Sequence, residues 1–267
     1  MKTNFFLALS CLVALSSCDD EKPEPATVKP VKRVDVQLNK AQQAVNQNVN
    51  QFAFNLFSKI SADRKADNLF ISPFSVQMDF SMLSNGANGA TLDEMIKSLG
   101  FEGQQMSDVN DYAKTMTSAL MSLDNTTNVG IANSVWVSKS INIKSAFQTT
   151  CAESYDAKAA SVDFTNGSAQ KTINKWSSEK THGMIDDIAG VLSPNTKMAL
   201  LNAIYFKGVW TIPFDKSDTE NKPFTCADGI KRSVSMMHLY DEEMAYGTLP
   251  QAGFKVLRMP YGNEAFG

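Results

Sequence analysis

Val45, Val49, Phe52, Leu56 and Ile60 recur at steps of four, three, four and four, the spacing that gathers apolar side chains on one face of a helix. Ser61 to Asp67 breaks that face with polar residues, and Leu69-Phe70-Ile71 then reads as a short apolar strand. Ser72-Pro73 supplies an N-cap and a first helical residue for a helix to about Ser84, stopped by Asn85-Gly86. Thr91-Leu92-Asp93-Glu94 has capping-box spacing and predicts the next helix, ended by Gly100. Val109, Tyr112, Met116 and Leu120 line one face of a fourth helix over 107–123.

The period then changes. Val129, Ile131, Asn133, Val135 and Val137 alternate with Gly130, Ala132, Ser134 and Trp136, which is strand spacing with both faces mostly covered. A helix over 145–155 and a strand over 159–164 follow, then a helix over 168–185 that breaks near Gly183. Lys197 to Val209 reads as a long apolar strand in the middle of a sheet, and 231–237, 244–249 and 254–259 as further strands. Helices followed by strands, with scattered crossovers, make an α+β pattern.

The first residues follow a different logic. Lys2 flanks an apolar run from Phe5 to Leu15 that is too short to span a bilayer, and Leu15-Ser16-Ser17-Cys18 follows, the pattern of a secretory signal. Leu-Ser-Ser-Cys resembles a bacterial lipobox, which would make residues 1–17 a signal and Cys18 an acylated first residue. Ordinary signal cleavage beside an incidental cysteine is the alternative, leaving a secreted protein. Residues 18–36 are acidic and rich in proline, with the composition of a solvated tether, and the globular part spans 37–267. The acidic residues directly after Cys18 resemble a surface-export signal, which places the chain at the cell envelope or its outer face.

A length of 267 residues with 43% hydrophobic content suits a globular domain, and the net charge of -3 offers no basic footprint for nucleic acid. His182 and His238 lack carboxylates or cysteines at ligand spacing, so neither a metal nor another cofactor is expected. Gly86 and Gly89 are not followed by Gly-Lys-Ser or Gly-Lys-Thr, and no Gly-x-Ser-x-Gly elbow occurs. The chain does not read as an enzyme. Nothing brings Cys151 and Cys226 together, so both are read as free.

Six blocks carry a family resemblance: Leu69 to Val76; Met82 to Thr91; Ile173 to Trp176 with Thr181 to Ile185; Asn202 to Trp210 with Phe214; Met236-Met237; and Met259-Pro260-Tyr261. In order and spacing, over about residue 43 to the end, they resemble the serpins. The resemblance implies an α+β fold in which N-terminal helices pack on a large central mixed sheet, with smaller sheets beside it. It also implies an inhibitor of serine, or of cysteine, proteases. In that family a protease cuts an exposed loop, which inserts into the central sheet as a new strand while the acyl-enzyme persists.

The same resemblance assigns Ser72, Ser75 and Asn202 to the shutter beneath the opening strands, and Phe206, Lys207, Gly208 and Trp210 to the breach where insertion begins. Asn174, Trp176, Thr181 and Gly183 fall on the helix that crosses the sheet. Each has a plainer reading, since Ser72 caps a helix in any protein and the tryptophans can be core anchors. The expected partners are a target protease and a membrane held through Cys18, with the full-length protein a monomer. A non-inhibitory serpin-fold binding or chaperone module, or an inactive fragment, is the alternative. Phe254 to Met259 and the turn at Tyr261-Gly262-Asn263 predict a hairpin whose second strand has only begun at Gly267. The resemblance accordingly puts the reactive loop and the second gate strand outside this sequence.

Overall fold

The computed structural model describes residues 29–64, 68–240, 244, 246–249 and 253–267. The signal over 1–17, Cys18 and the tether up to residue 28 lie outside the described residues.

Helix α1 (Lys40–Asp63) opens on a reciprocal cap. The Gln42 N–H donates to Asn39 Oδ1 at 2.9 Å and the Asn39 N–H to Gln42 Oε1 at 3.0 Å. Its buried Val45 and Val49 meet Leu99 of α3 (Ala90–Leu99), Phe101, and Val109 and Tyr112 of α4 (Met106–Leu120). Helix α2 (Pro73–Ser84) starts and ends where its sequence signals stand, with Pro73 in the first turn and Ser72 as cap. Helix α3 starts differently from the capping-box expectation. It begins at Ala90 behind Gly89, which takes φ +56° and carries no side-chain cap, so Thr91 already lies inside the first turn. Leu69-Phe70-Ile71 forms no strand. A strand exists only in a ladder, no described residue pairs with this segment, and Phe70 stands fully exposed.

The main sheet is mixed and runs β2-β1-β3, from β1 (Asn128–Ser138), β2 (Ala157–Val162) and β3 (Met198–Lys207). β1 is parallel to β2 and antiparallel to β3, with Asn133 opposite Asn202. Side-chain alternation splits the core in two. Val135 and Val137 pack on Met78 and Met82 of α2 and on Phe147, Cys151 and Tyr155 of α5 (Ser145–Tyr155). Trp136, Val162 and Ala203 pack on Ile173 and Trp176 of α6 (Ser168–Lys180) across the other face. Among the described residues β3 pairs only with β1, so the second neighbour that would put 197–209 in the middle of a sheet is not among them.

Two hairpins complete the described fold: β4 (Glu220–Thr225) with β5 (Lys231–Met236), and β6 (Tyr246–Leu249) with β7 (Phe254–Leu257). β4 escapes a sequence reading because its ENKPFT is uniformly exposed and contains Pro223; it exists through pairing with β5. The tether's last part is pinned. The Val31 N–H donates to Asn125 Oδ1 at 2.9 Å, Asn125 Nδ2 donates to the Lys29 carbonyl at 3.0 Å, and an Arg33 guanidinium N–H donates to the Glu264 carbonyl at 3.2 Å. Residues 29–36 therefore lie as a strap, exposed to solvent up to Asp35, against the loop before β1.

Candidate functional site

Ser72 leaves its backbone extended as the cap of α2, so its hydroxyl turns back on the first helical turn. Ser72 Oγ accepts from the Ser75 N–H at 3.3 Å and from the Ser75 hydroxyl at 3.0 Å. α2 packs on β3, the strand that carries Asn202. The bonds, however, run elsewhere. Asn202 Nδ2 donates to Asn133 Oδ1 at 2.7 Å, and Asn133 Nδ2 to the Tyr155 carbonyl at 2.6 Å.

From Tyr155 the polar chain continues under the sheet. The Tyr155 hydroxyl donates to Asn110 Oδ1 at 2.7 Å, and Asn110 and Asn85 exchange amide hydrogen bonds at 2.8 and 3.0 Å. β3, β1, α5, α4 and the end of α2 are thus linked by one partly buried amide and phenol network. Its satisfaction is incomplete: Asn202 Oδ1 and Asp79 Oδ1 are buried without a donor, as are Gln77 Oε1 and Ser81 Oγ. Burial pushes the Asp79 carboxyl up to about 7, against the backbone N–H of Asn202, which favours the charged form. The Tyr112 phenol and the Cys151 thiol are pushed up by burial to about 12 and about 11, so both stay neutral.

The end of β3 forms an aromatic cluster. Phe206 is exposed for nearly half its surface and meets Tyr261 and Phe266 edge-on, with centroids 5.1 and 5.5 Å away. Trp210 stacks on Tyr261 at 4.2 Å and 14° and touches Phe214 at 6.3 Å. The chain crosses itself here: Trp210 and Tyr261 form an antiparallel bridge, the Thr211 N–H donates to the Pro260 carbonyl at 3.0 Å, and the Gly262 N–H to the Val209 carbonyl at 2.8 Å. Lys207 is exposed at the last rung, opposite Asn128. Gly208 is needed for the close approach, since a Cβ there would stand 2.7 Å from Tyr261 Cδ1. The turn itself is tied down by Asp124, which accepts from the Asn263 N–H at 3.2 Å.

α6 lies over β1 and β3. Trp176 is buried edge-on to Trp136 at 6.3 Å, its indole N–H without a partner. Asn174 holds the following loop, donating to Asp187 Oδ1 at 2.7 Å and accepting from the Ala189 N–H at 3.0 Å. The Thr181 hydroxyl donates to the Ser177 carbonyl at 2.8 Å and accepts from the Ile185 N–H at 3.0 Å, closing the helix end where Gly183 takes φ +78°. His182, also at positive φ, lies against the Tyr205 ring of β3 at 4.5 Å.

Five groups of the network escaped the sequence reading: Asn85, Asn110, Asn133 and Tyr155 as polar partners, and Asp79. Asp79 had a visible signal, since Ser72, Ser75 and Asp79 share one helical face. Asn133 had another, a polar residue among Ile131, Val135 and Val137. Cys151 is buried and free, and Cys226 is free as well, as expected.

Comparison with known proteins covers most of this geometry. A family model described as serpin (serine protease inhibitor) matches residues 47–266. The leukocyte elastase inhibitor of Xenopus laevis is 32% identical over 215 residues, which cover 79% of this chain and 56% of that protein. Serpin-Z2A of Triticum aestivum is 35% identical over 234 residues, covering 85% of this chain and 56% of its own. Among solved structures, cleaved kallistatin complexed with heparin matches with a TM-score of 0.79 at 26% identity, over 84% of this chain and 67% of that one. The chain thus spans little more than half, 56%, of the length of the two sequence relatives.

Proposed function

The chain belongs to the serpin family, and on that premise we propose that the full-length protein inhibits serine proteases by inserting a cleaved reactive loop into its main sheet beside β3. The observation that carries this reading is the state of β3. It rests on a hydrogen-bonded polar network in which Asn202 bonds to Asn133 and Asn133 to the Tyr155 carbonyl. Serpin loop insertion is itself a standing example of strand addition to a sheet. Buried amides that can exchange partners suit a sheet that opens, because an aliphatic seam would have no second set of bonds to form.

The sites divide the work along the path of insertion. Trp210, Phe206 and Gly208, crossed by the 260–262 segment, form the entry; Ser72, Ser75 and Asn202 form the gate; α6 with Trp176, Asn174 and Thr181 covers the face that the new strand must pass. The protease supplies the chemistry, and the inhibitor supplies the strand that traps its acyl ester. Cys18 is proposed as the lipid-bearing residue that holds the protein at the envelope, and the mass of the mature N-terminus tests it.

The main test uses the complete product of the reading frame incubated with serine proteases of trypsin-like and elastase-like specificity. An SDS-stable complex is the expected result. Cleavage of the loop with release of active enzyme, for every protease tried, overturns inhibition and leaves a binding module of the same fold.

A further inference from the structure

Asn-Gly occurs three times in the sequence, at Asn85-Gly86, Asn88-Gly89 and Asn166-Gly167. The pair is chemically special, because a glycine has no side chain to shield its nitrogen from the side-chain amide carbon of the asparagine before it. Whether that nitrogen can reach the carbon depends on where the fold holds each amide, and the three are held differently.

Asn85 ends α2 with helical backbone, at φ -67° and ψ -16°. Its Nδ2 donates to the Ser81 carbonyl at 2.9 Å and to Asn110 Oδ1 at 3.0 Å, and its Oδ1 accepts from Asn110 Nδ2 at 2.8 Å. The Gly86 N–H is turned away, donating to the Leu83 carbonyl at 2.8 Å. Asn166 is held at both ends of its amide. Nδ2 donates to Asp163 Oδ2 at 2.9 Å, and Oδ1 accepts at 3.0 Å from the N–H of Ser168, the residue after the glycine. Asn88 differs. It is exposed, and its Oδ1 accepts from the N–H of Gly89 itself at 2.8 Å. The carbon to be attacked is one bond from that oxygen, so the fold already holds the two reacting groups together. Gly89 takes φ +56°, and nothing stands within 4 Å of the place a Cβ would occupy. All of these bonds run within residues 81–168, and none involves the edge of β3.

We propose that Asn88 is a self-modifying site, at which the folded protein converts an amide into a carboxylate at the start of α3. The Gly89 nitrogen bonds to Asn88 Cγ, the Cγ–Nδ2 bond breaks, and ammonia leaves with the proton that the Gly89 nitrogen gives up. The five-membered imide then takes up one water at either of its carbonyls. Opening at one restores the main chain with aspartate at position 88; opening at the other routes the chain through the side chain as isoaspartate. Water is consumed and ammonia released, with no oxidation or reduction. The nitrogen attacks after losing its proton, so the rate rises with pH. The new charge stands one residue before the N-cap of α3, a helix end without a side-chain cap, where the dipole favours an anion. Hydrolysis does not restore the amide, so the site marks the age of the folded molecule.

The test incubates the full-length protein, folded and separately unfolded in urea, in neutral and in mildly alkaline buffer, and follows the three asparagines by peptide mass mapping. In the folded protein Asn88 is expected to convert at least about tenfold faster than Asn85 and Asn166, and faster in the alkaline buffer. In urea the three share one dipeptide and no fixed geometry, so they convert at similar rates. Asn88→Gln, whose extra methylene enlarges the ring to be closed, is expected to leave position 88 unchanged over the same period. A smaller lead for Asn88 in the folded protein overturns the proposal. So does an equal lead in urea, because the fold would then select nothing. The outcome is independent of whether the protein inhibits a protease.

Discussion

At Gly208 one hydrogen atom separates a fitting residue from a colliding one. A Cβ there would stand 2.7 Å from Tyr261 Cδ1, and Tyr261 has little room to retreat because its ring is stacked on Trp210 and meets Phe206 edge-on. Gly208→Ala is expected to cost about 1–3 kcal/mol, read as a lowered melting temperature with a change in tryptophan emission as the stack shifts. An unchanged melting temperature and spectrum would show that the ring yields freely. The need for glycine at this position was legible only through the family resemblance, because its cause is a ring more than fifty residues further along the chain. The same holds for the polar network. Asn202 and Asn133 are 69 positions apart, and Tyr155 and Asn110 are 45 apart, so no local pattern joins either pair.

Elements written in local signals were read closely, and those that depend on a distant partner were not. Pro73 and Ser72 mark the start of α2, and the apolar steps of α1 and the alternation of β1 need nothing beyond their own residues. The segment 69–71 has strand-like residues but no described partner, and β4 has a partner but no strand-like pattern. The position of β3 within its sheet is a matter of topology and leaves no local mark. The cap of α2 can be tested at this scale. Ser72→Ala removes the acceptor of the Ser75 N–H and hydroxyl and is expected to lower stability by about 1 kcal/mol, seen as a lower urea midpoint with an unchanged slope. Ser72→Thr restores most of it if capping is the main contribution; failure of that rescue would point to the hydroxyl's packing against the sheet.

For the whole molecule, pH acts with opposite signs at Asp79 and Asp124. Asp79 favours the folded state as the acid, whereas Asp124 favours it as the carboxylate. Burial alone would raise the Asp124 carboxyl, but hydrogen bonds from the Thr126 N–H, the Thr127 and Thr126 hydroxyls and the Asn263 N–H outweigh it and hold it below the ordinary range. Its contribution is therefore full above about pH 4 and is lost as pH falls through the lowered folded value. The expected outcome is that the 261–266 turn loosens in acid before the main sheet does. Amide exchange at Gly262 and Asn263 should accelerate below about pH 4, and Asp124→Asn should accelerate it at neutral pH. Exchange that stays uniform across the chain in acid would count against it.

The strap over residues 29–36 gives this end of the molecule a mechanical character. Arg33 grips the carbonyl of Glu264, Glu264 belongs to the turn closed by Tyr261 and Phe266, and Tyr261 carries Trp210 on its face. A pull on the N-terminus therefore loads that turn and the aromatic stack before it reaches the first turn of α1. Were the chain tied down at Cys18, the eleven peptide links to Lys29 would give it a leash of at most about 40 Å. Tension on such a tie would be delivered to the aromatic stack of Trp210 and Tyr261 at the end of β3, joining the N-terminal strap and that stack in one line of force.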